Sequence, residues 1–426
     1  MRTAFTPEQL RDPELFEAEA SLRRCVHCGF CTATCPTYVL LGDERDSPRG
    51  RIALIQNMLE SGKEPTPDTV RHIDRCLSCL GCRTACPSGV DYATLIDAGR
   101  SYIAENYRRP LQERLFRNFV MRVLMHPRLF SLMTALGNHL STIATRLPGR
   151  LGKMARKVPV KPRLRAEHKS VHRVDSDARR IGLLPGCVQR ALAPAIDFSA
   201  RRVLARRKFN AEPLRGSGCC GSLAFHMGET NLAKRCAKNT IKAFEKAHAE
   251  SPVEAILITA TGCTAFLKEY ESLFTADEEW ESRAKSFSSK VRDFVELVEP
   301  CQEPVQEIAL QHLEVAYHPP CSLQHGQYIR DLGENLLASV GFKLVPFAET
   351  HMCCGSAGSY SIMQPEISDG LRARKLAAIK ASGATLIASG NVGCINQLSG
   401  HGAPPGVHIA ELLDWADGGP KPANLP

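Results

Sequence analysis

The chain has 426 residues, a formal net charge of +9, 43% hydrophobic but only 6% aromatic residues, and 18 cysteines. That length leaves room for several domains with real cores, while no uninterrupted apolar stretch reaches the roughly 18 residues of a membrane-spanning helix. The acidic opening MRTAFTPEQLRDPELFEAEA lacks the apolar region of a secretory signal. Many thiols without such a signal point to a reducing cytoplasm.

The first elements along the chain are two matching cysteine runs. Cys25, Cys28, Cys31 and Cys35, then Cys76, Cys79, Cys82 and Cys86, each read C-x2-C-x2-C-x3-C, followed by Pro36 and Pro87. Three thiolates on one tight loop can take three corners of a cubane, and the fourth then points to the cluster of the other run. The spacing therefore predicts two [4Fe–4S] clusters, one held by Cys25, Cys28, Cys31 and Cys86, the other by Cys35, Cys76, Cys79 and Cys82. Zinc usually takes separated pairs or Cys/His sets, and cysteines three apart rarely suit disulfide geometry, so both fit less well. Gly29 and Gly81 are expected where the loop backbone folds tightly around the inorganic core. His27 is expected beside the cluster or on the surface, since thiolates already fill the ligand positions.

The charge is unevenly placed. Arg100 to Arg180 carries 19 Lys or Arg against five Asp or Glu, so the rest of the chain is net acidic. Within it, RLFRNFVMRVLMHPRLFSLMTAL (Arg114 to Leu136) alternates basic and apolar residues at a helical rhythm that Pro127 should break. Such a segment suits an anionic membrane surface, a partner subunit, or a connector packing its apolar stripe on the chain's own domains. VPVKPRLRAEHKSVHRVDSDARR, from Val158, has the composition of a linker. Nucleic acid is not an expected partner, because no base-stacking platform or recognition motif accompanies the basic residues.

Beyond residue 180 the chain repeats itself. Cys187 in LLPGC, the pair Cys219 and Cys220 in GCCGS, and Cys263 in TATGC are matched by Cys321 in YHPPC, Cys353 and Cys354 in MCCGS, and Cys394 in GNVGC. In the first copy the pattern predicts strands at RIGLLPG, Phe209 to Leu214 and VEAILITA, with helices from about Ala195 to Lys208 and Leu232 to Ala249. The second copy predicts strands at EVAYH, FKLVPF and ATLIAS, with helices near Asp331 to Val340 and Ile367 to Ser382. Strands alternating with helices imply right-handed crossovers and a parallel sheet, with each cysteine beyond a strand's C-terminal end. Four thiols per copy would then converge on an iron–sulfur centre, a redox dithiol or zinc; a purely structural role also stays open. Gly221, Gly355, Gly262 and Gly393 suggest tight backbone at these sites. Cys236 and Cys301 lack counterparts and read as structural thiols, and His318 and His351 are weak candidates. The expected organisation is multidomain α+β. A mainly helical two-cluster ferredoxin-like domain (1–105) leads to a basic helical connector (106–178) and two α/β cysteine-rich repeats (179–300 and 310–420).

Two ferredoxin-type runs followed by two "CCG" repeats resemble a family of electron-transfer subunits. Its members include the iron–sulfur subunits of glycolate oxidase and anaerobic glycerol-3-phosphate dehydrogenase, and heterodisulfide-reductase-like proteins. CVHCGFCTATCPTY, LLGDERDSPRGRIALI, DRCLSCLGCRTACPSGV, TATGCTAFLKEY and HMCCGSAGSY carry the resemblance, most closely to the glycolate oxidase branch. One departure is that full repeats often end in C-x2-C, whereas Phe266 and Gln397 hold those last positions. The resemblance implies FAD-containing partner subunits that oxidise glycolate to glyoxylate, with this chain relaying electrons toward quinone or another acceptor. It implies cytoplasmic placement, with peripheral contact at the inner membrane face as one arrangement. No residue here is assigned a catalytic role, and no strand–G-x-G-x-x-G–helix unit for a dinucleotide is present. The alternatives are a subunit for another flavin dehydrogenase (glycerol-3-phosphate or lactate) or a thiol or quinone reductase acting through the CCG half.

Overall fold

The computed structural model describes residues 1–139, 177–300, 312–400 and 402–425; most of the predicted linker from Val158, together with Cys301, lies outside them. The N-terminal unit is helical, with helices at Pro13–Arg24, Pro36–Leu41, Pro48–Ser61, Pro67–Asp74 and Tyr92–Asn106. Prolines 13, 36, 48 and 67 each open a helix at its first turn, where the missing N–H costs nothing. Asp12, Ser47, Thr66 and Asp91 cap helix starts by accepting backbone N–H groups. Leu22, Ile55, Leu59, Ile73, Leu95 and Ile96 fill the core between the two cysteine loops.

Each repeat is a four-stranded parallel sheet. Strands β1 (Arg179–Leu183), β2 (Phe209–Pro213), β3 (Ala255–Leu257) and β4 (Val291–Arg292) run in the order β2-β1-β3-β4. Strands β5 (Glu314–Tyr317), β6 (Lys343–Leu344), β7 (Leu386–Ser389) and β8 (Gly406–His408) repeat it as β6-β5-β7-β8. In the first sheet Ile181 pairs with both Ala211 and Ala255; in the second, Val315 pairs with Leu344 and Leu386. The crossover helices are Ala195–Arg206 and Thr230–Glu250 in one copy, Leu332–Ser339 and Pro365–Ala381 in the other. This order switches direction at the central strands and leaves a crevice at their C-terminal ends.

The two sheets share one apolar core. Ile181, Leu183, Val203 and Leu204 of the first copy and Val315, Leu337, Ile409 and Leu413 of the second belong to the same buried cluster. Helix Ala195–Arg206 packs on helix Ile409–Ala416, and between them Arg202 donates to Asp414 at 2.5 to 3.1 Å with both side chains buried. Gln327 reaches Asp293 at 3.1 Å from the other side, and Thr261 meets Ser322 at 2.9 Å.

The basic segment forms two helices, Leu111–Met125 and Pro127–His139, broken at His126 as Pro127 predicts. Arg109 pairs with Asp74 at 2.6 Å, tying this segment to the N-terminal unit. Met121 and Met125 pack on the first repeat's core, and Arg117 donates to the Met227 carbonyl at 3.3 Å. The connector role thus accounts for one face, while Leu111, Leu115, Leu132 and Leu136 stay exposed on others. Among the described residues no helix is long and apolar enough to cross a membrane.

Because Asp414 is fully buried and answers Arg202 and Arg206, Asp414→Ala strands a guanidinium between the repeats. A loss of about 3–5 kcal/mol is expected, read as a lower urea midpoint of the whole C-terminal half. An unchanged midpoint would mean that the shared core does not couple the two sheets.

Candidate metal centres

Helix Pro13–Arg24 delivers Cys25 at its end, and helix Pro67–Asp74 stops just before Cys76. Both loops then take the same backbone path. His27 (φ 54°) matches Ser78 (φ 51°), and Gly29 (φ 85°) matches Leu80 (φ 58°), so the left-handed positions recur at the same place in each run. Gly29 fits expectation, but Gly81 owes its tightness to the Thr34 carbonyl 3.2 Å from an added Cβ, and Leu80 bears the strained angle. Arg100 pins the second loop by donating to Ser78 Oγ at 2.5 Å and to the Cys76 carbonyl at 2.7 Å. His27 is exposed, 2.7 Å from the Met1 sulfur.

The fourth cysteine of each run comes near cysteines of the other run. Cys25, Cys28 and Cys31 wall a cavity together with Cys82 and Cys86 of the second run. Cys35 sits in the electrostatic neighbourhood of Cys76, Cys79 and Cys82. Burial pushes the Cys31 thiol up to about 11, and pushes Cys79 and Cys82 well above the ordinary thiol range. Thiols this reluctant to ionise become thiolates when a cation such as a metal stands beside them. No described cysteine is in a disulfide. Two groups of converging, unpaired thiols in such a setting fit iron–sulfur clusters.

Hydrogen bonds already reach the sulfurs. Val90 N–H donates to Cys86 at 3.5 Å, Tyr92 Oη to Cys76 at 3.7 Å, and Thr37 Oγ1 meets Cys35 at 3.3 Å. The DERDSPRGR stretch supplies a buried charge network behind Cys35. Arg51 Nη1 stands 3.9 Å from that sulfur and 3.0 Å from Thr37 Oγ1, while its Nη2 donates to Asp46 at 3.1 Å. Asp46 also bonds His72 at 2.9 Å and Arg75 at 2.8 Å. The residues of this stretch show no such role until the fold brings Asp46, Arg51 and His72 together. Asp46 answers the guanidinium, which lies behind a sulfur where negative charge is to be held.

In the repeats the predicted thiols converge. Cys187 and Cys219 sulfurs are 3.9 Å apart, and Cys220 interacts with Cys219 and Cys263. Cys321 and Cys353 are 3.8 Å apart, and Cys354 interacts with Cys353 and Cys394. The glycine of each CCG is left-handed: Gly221 at φ 92° and Gly355 at φ 88°. A Cβ on Gly355 would come within 2.8 Å of the Ser368 carbonyl, and one on Gly221 within 3.1 Å of the Ala233 carbonyl. Only glycine lets the crossover helix press this close. Gly393 is tight against Ser356, while a Cβ on Gly262 would meet only Ser322 Oγ, at 4.0 Å, so no tight backbone requires that glycine.

Phe266 and Gln397 serve packing instead of ligation. Phe266 stacks near Phe225 and Tyr270, and Gln397 donates to Ser368 at 2.9 and 3.1 Å. Cys236 packs at the edge of the first repeat's core, a structural place. His351 exposes its side chain, but His318 is buried with its ring near Cys354 and Cys394. Nothing in the sequence marked it except its position three residues before Cys321.

All eight repeat cysteines, together with Cys76, border one cavity of about 1280 Å³. The N-terminal unit also meets the second repeat. Cys79 and Cys321 both pack on the cluster of Leu77, Cys353 and Tyr360, with Cys79 in the electrostatic field of Cys321, Tyr360 Oη donates to the Arg75 carbonyl at 2.8 Å, and Thr84 Oγ1 meets His325 at 2.7 Å.

Arg51→Met removes the guanidinium that Asp46 and His72 surround. The melting temperature should fall by an amount equivalent to about 3–5 kcal/mol, and potentiometry should show a more negative potential for the centre nearest Cys35. An unshifted potential in a folded variant would deny Arg51 that electrostatic role.

The family model of the 4Fe-4S dicluster domain matches residues 21–90, and that of the cysteine-rich domain matches 181–268 and 315–399. The chain is 29% identical to lactate utilization protein A of Shouchella clausii over 55% of its own length and 98% of that protein's. It is 32% identical to the "Probable glycolate oxidase iron-sulfur subunit" of Bacillus subtilis, over 94% of this chain and 95% of that one. Against the glycolate oxidase iron-sulfur subunit of Escherichia coli, identity is 38% over 98% of this chain and 99% of the relative. With thiol groups of this geometry and likeness along its whole length, the chain belongs to the glycolate oxidase iron–sulfur subunit family.

Proposed function

We propose that this chain is the electron-relay subunit of a glycolate-oxidising complex, with two [4Fe–4S] clusters in its N-terminal unit. Cys25, Cys28, Cys31 and Cys86 hold one, and Cys35, Cys76, Cys79 and Cys82 hold the other. When bound, such clusters accept and release single electrons. The chain's own residues supply the setting. Arg51 offsets negative charge behind Cys35, Tyr92 and Val90 donate to sulfurs, and the helical core excludes water from Cys25, Cys76 and Cys82.

The observation that carries this reading is that Cys79 lies in the electrostatic field of Cys321, both thiols packing on the cluster of Leu77, Cys353 and Tyr360. This approach brings the second thiol group of the N-terminal unit up to the CCG half and gives charge a short way between them. Oxidation of glycolate to glyoxylate falls to FAD-containing partner subunits, and the acceptor is quinone or another electron carrier. The exposed leucines of the basic helices, Leu111, Leu115, Leu132 and Leu136, supply the surface for those subunits or for an anionic membrane. A relative named for lactate utilization makes lactate the second 2-hydroxy acid to test beside glycolate.

Anaerobically purified chain should carry about eight iron and eight acid-labile sulfide in its N-terminal unit. Cys28→Ser or Cys79→Ser should each remove one cluster and stop acceptor-linked turnover, while glycolate still reduces the partner flavin in a single turnover. Colourless wild-type protein, or full turnover in either variant, would overturn the relay assignment.

A further inference from the structure

His318 is 1% exposed, and neither ring nitrogen has a hydrogen-bond partner. Its backbone is fully engaged at the end of β5, donating to the Ala388 carbonyl at 2.8 Å and accepting from Ser389 Oγ at 2.9 Å. The ring is therefore fixed in place while its polar atoms stay unanswered. An orphaned buried polar group costs about 1–3 kcal/mol, which a ligand at that point would offset. A ring nitrogen of His318 and the sulfurs of Cys354 and Cys394 all lie within 4.8 Å of one another.

We propose that the second repeat holds one zinc ion through a ring nitrogen of His318 and the thiolates of Cys354 and Cys394, with Cys353, in side-chain contact with Cys354, supplying the fourth donor. Donors around a tetrahedral zinc stand roughly 3.3–3.8 Å apart, given bonds of about 2.3 Å to sulfur and 2.0 Å to nitrogen. The sulfurs that hold a cubane sit on its outer corners, farther apart than the donors of a single ion. Three donors within 4.8 Å of one another are near enough to close on a single ion, and a mixed thiolate–imidazole set is what zinc takes in closed structural sites.

The surroundings complete the site. The Gly355 N–H donates to Cys353 and the Asn391 side-chain amide to Cys394, each at 3.5 Å, orienting two of the sulfurs. Three thiolates around a divalent ion leave one negative charge. Lys375, 2% exposed, lies in the electrostatic field of Cys353, Cys354 and Cys394 and can balance it. The Lys375 ammonium is held there by the Glu349 carbonyl. The other candidate group among the described residues, Asp43 with Asp46 and His72, is already neutralised by Arg51, Arg75 and Arg45.

The first repeat lacks this device. Leu184, buried and apolar, stands three residues before Cys187 where His318 stands before Cys321. The two CCG sites are thus chemically different despite one topology. Zinc in the second would clamp the end of β5, the CCG loop and helix Val392–Leu398 together. The site is independent of which 2-hydroxy acid the complex oxidises.

Metal analysis and zinc-edge X-ray absorption on the full chain, purified anaerobically, test it. The expected result is about one zinc per chain with three sulfur and one nitrogen neighbours. His318→Ala should release zinc to a chelator roughly tenfold faster or more, with the iron content and far-UV circular dichroism unchanged. His318→Cys should restore retention with an all-sulfur shell. Wild-type protein without zinc, a shell without nitrogen, iron as the nitrogen-bound metal, or zinc held equally well by His318→Ala would each overturn the site. An iron deficit with zinc intact would instead count against the two-cluster reading alone.

Discussion

A buried thiol cannot carry charge without a cation beside it, and this chain gathers sixteen cysteines into groups where most are wholly or partly buried. Burial raises Cys31 to about 11 and Cys79 and Cys82 well above the ordinary thiol range, so their thiolates are costly unless positive charge stands beside them. The helical caps, the left-handed loop residues and the parallel sheets are all arranged around these groups. Even the basic side chains inside the N-terminal unit follow this constraint. Arg51 is buried behind Cys35 and is kept tolerable by Asp46, which two further contacts, from His72 and Arg75, keep in place.

Two different architectures meet the same need. In the N-terminal unit the loops are short and stand against each other, each run's last cysteine near cysteines of the other. On the proposed ligand sets neither loop assembles its group alone. In the C-terminal half the sheet does the positioning: Cys187, Cys219, Cys220 and Cys263 all follow strand ends at the switch point of the order β2-β1-β3-β4, and the second copy repeats this. The shared core and the Arg202–Asp414 pair hold the two sheets together, so the two sets open on one cavity rather than on opposite faces. The chemistry of one site then bears on its neighbour, and the approach of Cys79 to Cys321 links both to the N-terminal loops.

Much of this was legible in the sequence because the signals were local. Helix Thr230–Glu250 and strand Phe209–Pro213 stand within about two residues of where periodicity puts them, and Pro127 breaks the basic helix at the expected place. What escaped was set by distant partners. Strands β4 and β8 are two and three residues long, too short for an alternation pattern, and they exist because β3 and β7 offer free edges. The core between the repeats, the role of Asp46 behind Arg51, and the approach of His318 to Cys354 all join residues far apart in the chain. Gly81 shows a subtler miss: the glycine was noticed, but the left-handed angle falls one residue earlier, on Leu80.

The central claim is that the fourth cysteine of each run serves the other loop's centre. Electron paramagnetic resonance of reduced Cys86→Ser chain tests this most directly, read against Cys28→Ser and Cys79→Ser. The account predicts that Cys86→Ser alters the same signal as Cys28→Ser and leaves the one lost in Cys79→Ser intact. A Cys86→Ser spectrum that matched Cys79→Ser instead would contradict it.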